Sequence, residues 1–189
     1  MEELVQAFSI ERIGKAGARF DIQKAQWFNQ QYLKVKTDEE LSSYLLDSLA
    51  KENIACTKEK ALKICAVMKE RVTFTHDFWL QGKFFFEAPI SYDAQVIAKK
   101  WNDEAIKVLT SYGKEIASTT TLTAELAKST LESVTASLGI GTGKILQALR
   151  FSITGGASGP DLMMTMEILG KEEVVKRLEH ALDTIKKPA

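Results

Sequence analysis

The stretch Thr37-Asp38-Glu39-Glu40-Leu41-Ser42-Ser43-Tyr44-Leu45-Leu46-Asp47-Ser48-Leu49 decides the fold class. Thr37 followed three residues on by Glu40 is a capping box, in which each side chain satisfies a backbone N–H left open where a helix starts. Leu41, Leu45, Leu46 and Leu49 then recur at helical spacing and mark one apolar face. The same pattern continues along the chain. Ala61, Ile64, Cys65 and Met68 form a second stripe behind Thr57, a predicted N-cap. Ala127, Leu131, Val134 and Leu138 form a third, stopped by Gly139. Val174, Leu178, Ala181, Leu182 and Ile185 form a fourth, entered after Gly170. Pro160 is placed to occupy the first turn of a helix through Leu162, Met163 and Met166, where a missing N–H costs little. Asp21 reads as another N-cap, with Phe20 and Phe28 expected in the core. Strand-like alternation is almost absent, and Phe151–Thr154 stands alone as a candidate for extended chain. The expectation is an all-α protein of about nine to eleven helices.

Composition narrows the function. The 189 residues include 25 basic and 25 acidic side chains, and 45% are apolar, enough for a real core. Residues 1–90 carry 13 charges of each sign and residues 91–189 carry 12 of each. Binding by bulk charge to nucleic acid or membrane is therefore not expected. No apolar run approaches the roughly 20 residues of a bilayer span. The acidic start Met1-Glu2-Glu3 is unlike a secretory signal. Cys56 and Cys65 have no second pair and no adjacent His, which supports neither a metal site nor a disulfide framework. A cytoplasmic protein with a buried, reduced Cys65 is expected. His76 and His180 read as surface residues, and no catalytic constellation is evident.

Two compositional breaks organise the chain. Around Pro89 the helical pattern lapses, and a domain boundary is placed there. From Ser133 to Pro160 no acidic residue occurs, yet six of the eleven glycines do, flanking a short helix that carries Lys144 and Arg150. Gly139-Ile-Gly-Thr-Gly-Lys144 fails the phosphate-loop pattern, with three residues rather than four between Gly139 and Gly143, and Ile145 after the lysine. Without acidic neighbours in sequence, Lys144 and Arg150 read as locally unopposed and suited to a phosphate or a base edge. The glycines also serve as plain helix stops, and composition leaves both readings standing. Lys15 and Arg19 suit a phosphate backbone or a solvated loop. Arg71, after the Ala61–Met68 stripe, suits a ligand or simply complements a helix C-terminus.

Lys15–Asp21 with Trp27–Leu33, Met68–Arg71 ahead of Phe84–Phe86, and Leu149–Gly155 with Gly159–Leu162 are three motifs that, in this order, resemble bacterial glutamyl-tRNA synthetases. Lys15-Ala-Gly-Ala-Arg19-Phe-Asp21 with Lys24 and Trp27–Leu33 is similar to the stretch after that family's catalytic half. Met68-Lys-Glu-Arg71 ahead of Phe84-Phe85-Phe86 keeps the family's order. Leu149-Arg150-Phe-Ser-Ile-Thr154-Gly155, Gly159-Pro160-Asp-Leu162 and Ile168–Glu172 resemble its C-terminal domain. The resemblance implies two consecutive helical anticodon-binding bundles, residues 26–90 and 91–189, after a stem-contact segment ending near residue 25. It implies that Arg150 and Arg71 touch anticodon bases and that Gly159, Pro160 and Leu162 hold one of them. Gly159 stands where the family often has Thr. Lys15, Arg19 and Lys144 are then phosphate contacts. The partner implied is tRNA(Glu), bound by a monomer. The family's His-Ile-Gly-His and Lys-Met-Ser-Lys-Ser types of ATP motif do not occur in the sequence. Met1 is thus expected to start a fragment that is inactive alone, with ATP and magnesium held in the missing catalytic half. The rival readings are a helical protein–protein interaction module with no RNA role and a small enzyme of another kind.

Overall fold

A computed structural model of the protein describes residues 1–10, 17, 19–92 and 94–186, with 94–96 described by backbone only. Eleven α-helices and a 3-10 turn make up the secondary structure given for these residues, and no strand occurs among them. In the first part, α1 (Glu2–Ala7) and α2 (Ile22–Val35) precede α3 (Asp38–Lys51), α4 (Lys58–Met68), α5 (Asp77–Leu80) and the 3-10 turn Lys83–Phe85. The capping box at Thr37 forms in full: Thr37 N donates to Glu40 Oε2 at 2.9 Å and Glu40 N to Thr37 Oγ1 at 3.2 Å. Thr57 caps α4 by the one-sided bond alone, its side chain accepting from Lys60 N. Leu41, Leu45 and Leu49 of α3 close on Ala61, Ile64, Cys65 and Met68 of α4, with Phe78, Trp79 and Phe85 completing the cluster. Each large side chain sealed this way contributes about 1.5–3 kcal/mol against the conformational entropy of folding.

The second part comprises α6 (Ala94–Lys100), α7 (Asp103–Ser118), α8 (Ala124–Ser137), α9 (Thr142–Thr154), α10 (Leu162–Leu169) and α11 (Lys171–Thr184). Its cluster gathers Trp101, Leu109, Tyr112, Leu131, Leu149, Phe151, Met166, Val174 and Leu178. The buried Tyr112 hydroxyl donates to Ala127 O at 3.0 Å, which satisfies a group that would otherwise oppose burial. α10 serves both clusters, because Ile168 packs into the first while Met166 packs into the second.

Three local expectations need correction. Phe151–Thr154 is the last turn of α9, not extended chain: Phe151, Ser152 and Ile153 are all buried, so packing overrides local preference. Pro160 precedes the α10 N-cap instead of entering the helix, because Asp161 takes the cap and accepts from Met164 N at 2.8 Å. Phe20 and Phe28 are 77% and 46% exposed, so neither joins the core.

Candidate nucleic-acid interface

α9 ends at Gly155, whose φ of +73° suits glycine. A β-carbon there would also meet Pro89 Cβ at 2.8 Å, so this glycine lets the segment between the clusters lie against the helix end. The chain then folds back through Gly159 and Pro160, and Arg150 Nη1 donates to Pro160 O at 2.8 Å. Arg150 is half-buried, and burial lowers its proton affinity. Asp161 opposes that shift, whereas the charge of Arg71 adds to it. The two arginines, far apart in sequence, thus lie close enough for one charge to act on the other.

Arg71 is exposed on the turn that follows α4, its N–H donating to Met68 O at 2.8 Å. That turn is pinned from both sides. Asn29 of α2 donates to Thr73 O, and Gln30 donates to Glu70 O at 3.2 Å. Asp77 Oδ2 accepts from both Thr73 N and Phe74 N at 2.9 Å, capping the turn with a carboxylate. Two of these side chains lie within the Trp27–Leu33 motif, but only the fold shows what they hold.

Beside Arg150 opens a groove of about 480 Å³. Leu131, Leu146, Leu162 and Met163 supply apolar surface, while Gln147, Arg150 and Asp161 supply polar atoms. An aromatic base needs both: a face to lie on and directional donors at its edge. Leu162 lines the groove although it is only 4% exposed, and Pro160 is buried with its carbonyl engaged by Arg150. Arg150, Gly159, Pro160 and Leu162 therefore converge, with Arg71 near them.

The remaining cations behave differently. Lys144 is not unopposed: its Nζ lies 3.5 Å from Glu104 Oε2 on α7, an acid that sequence distance conceals. Arg150 likewise feels Asp161, just past the acid-free stretch. Arg19 is exposed ahead of α2 and lines a separate hollow with Phe20, Asp21, Ile22 and Gln23. Lys15 lies outside the described residues. No group of three or more His, Cys, Asp or Glu able to hold a metal occurs among the described residues. No described helix is long and apolar enough to cross a membrane.

A helical frame that presents an arginine beside an apolar-floored groove, with a second arginine near enough to act on it, defines a class of protein, and residues 24–182 match the family described as "Anticodon binding domain". The chain belongs to that family. It is 45% identical over 186 residues to the glutamate–tRNA ligase of Cytophaga hutchinsonii, covering 98% of this chain and 36% of that protein. It is 46% identical over 184 residues to the glutamate–tRNA ligase of Amoebophilus asiaticus, covering 97% and 36%. A crystal structure of a glutamate tRNA ligase from Elizabethkingia meningosepticum in complex with its amino acid superposes with a TM-score of 0.90 at 39% identity, over 98% of this chain and 37% of that one. The chain thus spans little more than a third of the relatives it matches.

Proposed function

We propose that this chain binds tRNA(Glu) through its anticodon, as the recognition part of a glutamate–tRNA ligase. The observation that carries the reading is the groove that opens beside Arg150, with Arg71 near enough for its charge to act on that guanidinium. Arg150 keeps guanidinium donors beyond the one given to Pro160 O, and these can meet the edge of an unstacked base. A wrong base leaves such a donor unpaired, at a cost of about 1–3 kcal/mol. Gly159, Pro160 and Leu162 shape the wall around that base, and Arg71 reads or neutralises a neighbouring nucleotide. Lys15, Arg19 and Lys144 contribute phosphate contacts, Lys144 in competition with Glu104.

The whole ligase would join glutamate to tRNA(Glu) with ATP and magnesium, groups held in a catalytic part outside these residues; the chain alone would not aminoacylate. It would act in the cytoplasm as a monomer, with residues 26–90 and 91–189 as two bundles after a stem-contact end at 1–25. Membership in the anticodon-binding family disfavours an interaction module without an RNA role. Titration with tRNA(Glu) transcripts that differ only in the anticodon tests the proposal. Tighter binding of the cognate transcript is expected, and indifference to the anticodon overturns it.

A further inference from the structure

Arg177 lies on the apolar face of α11 and is 2% exposed, among the most buried side chains of the protein. Its Nη1 donates to Phe84 O at 2.7 Å and to Ile153 O at 2.8 Å, while Nε donates to Glu173 Oε1 at 2.7 Å. Phe84 sits in the 3-10 turn that closes the first cluster, and Ile153 lies one turn beyond Arg150 on α9. The adjoining carbonyl, Phe85 O, accepts from Lys60 Nζ of α4 at 2.9 Å. Two cations from different parts of the fold therefore hold successive carbonyls of one turn.

This clasp completes a continuous path between Arg71 and the groove arginine, Arg150. From Arg71 it runs back along α4 to Lys60, across the carbonyls of Phe85 and Phe84 to Arg177, and through Ile153 along α9 to Arg150. The ends of the path carry like charges that repel one another. Apolar packing at α10 is non-directional and does not fix their separation by itself. Hydrogen bonds from a rigid planar fork to two fixed carbonyls do.

We propose that Arg177 is a positioning residue: by joining Phe84 of the first cluster to Ile153 of α9, it sets the separation at which Arg71 and Arg150 meet an anticodon. Its use in anticodon reading rests on the function proposed above; its geometric part does not. A buried guanidinium this far from solvent touches no phosphate, so its removal should alter discrimination without altering the salt dependence of binding.

The test uses Arg177→Met and the conservative Arg177→Lys, with helix content checked by circular dichroism. Two measurements are made on each. The first is the affinity ratio for cognate against anticodon-altered transcripts, expected to shrink by about tenfold in Arg177→Met with an unchanged salt slope. The second is the distance distribution between nitroxides at the exposed Ser43 of α3 and Ser129 of α8, in a Cys56→Ser background, expected to shift or broaden without any RNA present. If Arg177→Met fails to fold, Arg177→Lys, which keeps the charge but not the planar fork, is judged by the same two readouts. An unshifted, equally narrow distribution in a folded variant overturns the positioning role, as does an unchanged affinity ratio. Indifference of the unaltered chain to the anticodon overturns the tRNA reading instead, and the nitroxide distances then decide the geometric part by themselves.

Discussion

A β-carbon on Gly159 would lie 2.9 Å from Nη1 of Arg150, the nitrogen that donates to the Pro160 carbonyl at 2.8 Å. The neighbour that must give way is the far end of a flexible side chain, so Gly159→Ala should still fold. Its cost is the weakened Arg150–Pro160 bond, about 0.5–1.5 kcal/mol in denaturant unfolding. Because the displaced fork is the proposed base reader, anticodon discrimination should fall although Arg150 itself is intact. Discrimination equal to that of the unaltered chain would show that this glycine does not place the fork.

The helices were legible because their signals are local. Thr37 and Glu40 cap within one turn, and Leu41, Leu45 and Leu49 share a face whose partner stripe, Ala61–Met68, follows after a short turn. Arg150 was legible as a candidate from its acid-poor surroundings. The pairing of Lys144 with Glu104 was not, since the two are 40 residues apart and belong to different helices. Arg177 was hidden for the same reason. It lies between Val174 and Leu178 on an apolar face, which signals burial but not that its acceptor is 93 residues earlier. Phe20 and Phe28 misled because aromatic content alone does not say whether a neighbour covers the ring.

Asp161 has two roles that a single atom change separates. Its Oδ1 caps α10 through Met164 N, and its charge raises the proton affinity of Arg150 at the groove. Asparagine caps about as well as aspartate but carries no charge. Asp161→Asn should therefore leave thermal stability nearly unchanged and tighten tRNA binding at low salt, with the gain fading as salt screens the lost repulsion. Asp161→Ala, by contrast, should cost about 1 kcal/mol of stability through the lost cap. Unchanged affinity in Asp161→Asn at low salt would place the anionic ligand elsewhere.

The Lys144–Glu104 pair predicts an asymmetry. Both side chains are exposed, so the pair contributes little to stability, and breaking it should barely move the unfolding midpoint. If Lys144 meets a phosphate, Lys144→Ala should lower tRNA affinity and reduce the salt slope by about one unit. Glu104→Gln should do the opposite to affinity, by releasing the ammonium. Binding isotherms at several salt concentrations decide it, and matching isotherms for Lys144→Ala and the unaltered chain would assign Lys144 to its ion pair alone.

Cys65 gives the first cluster a pH signature of its own. Burial in the cluster, aided by the negative charge of Asp38, pushes its thiol up from 9.0 to about 12. In the unfolded chain the thiol ionises near its ordinary value, so between 9.0 and about 12 the folded state holds a proton that the unfolded state has lost. Stability from this group is complete below 9.0 and drains as pH rises through that window, by up to about 1.4 kcal/mol per pH unit. Lys60 acts in the opposite sense, because burial lowers its pKa and the folded state gains as that ammonium deprotonates. Comparing the intact chain with Cys65→Ala across the alkaline range cancels Lys60 and isolates the thiol. The substituted chain should be less stable near neutrality, from the lost packing, yet should decline less steeply above pH 9.0. Parallel declines would mean that Cys65 ionises without leaving the folded cluster.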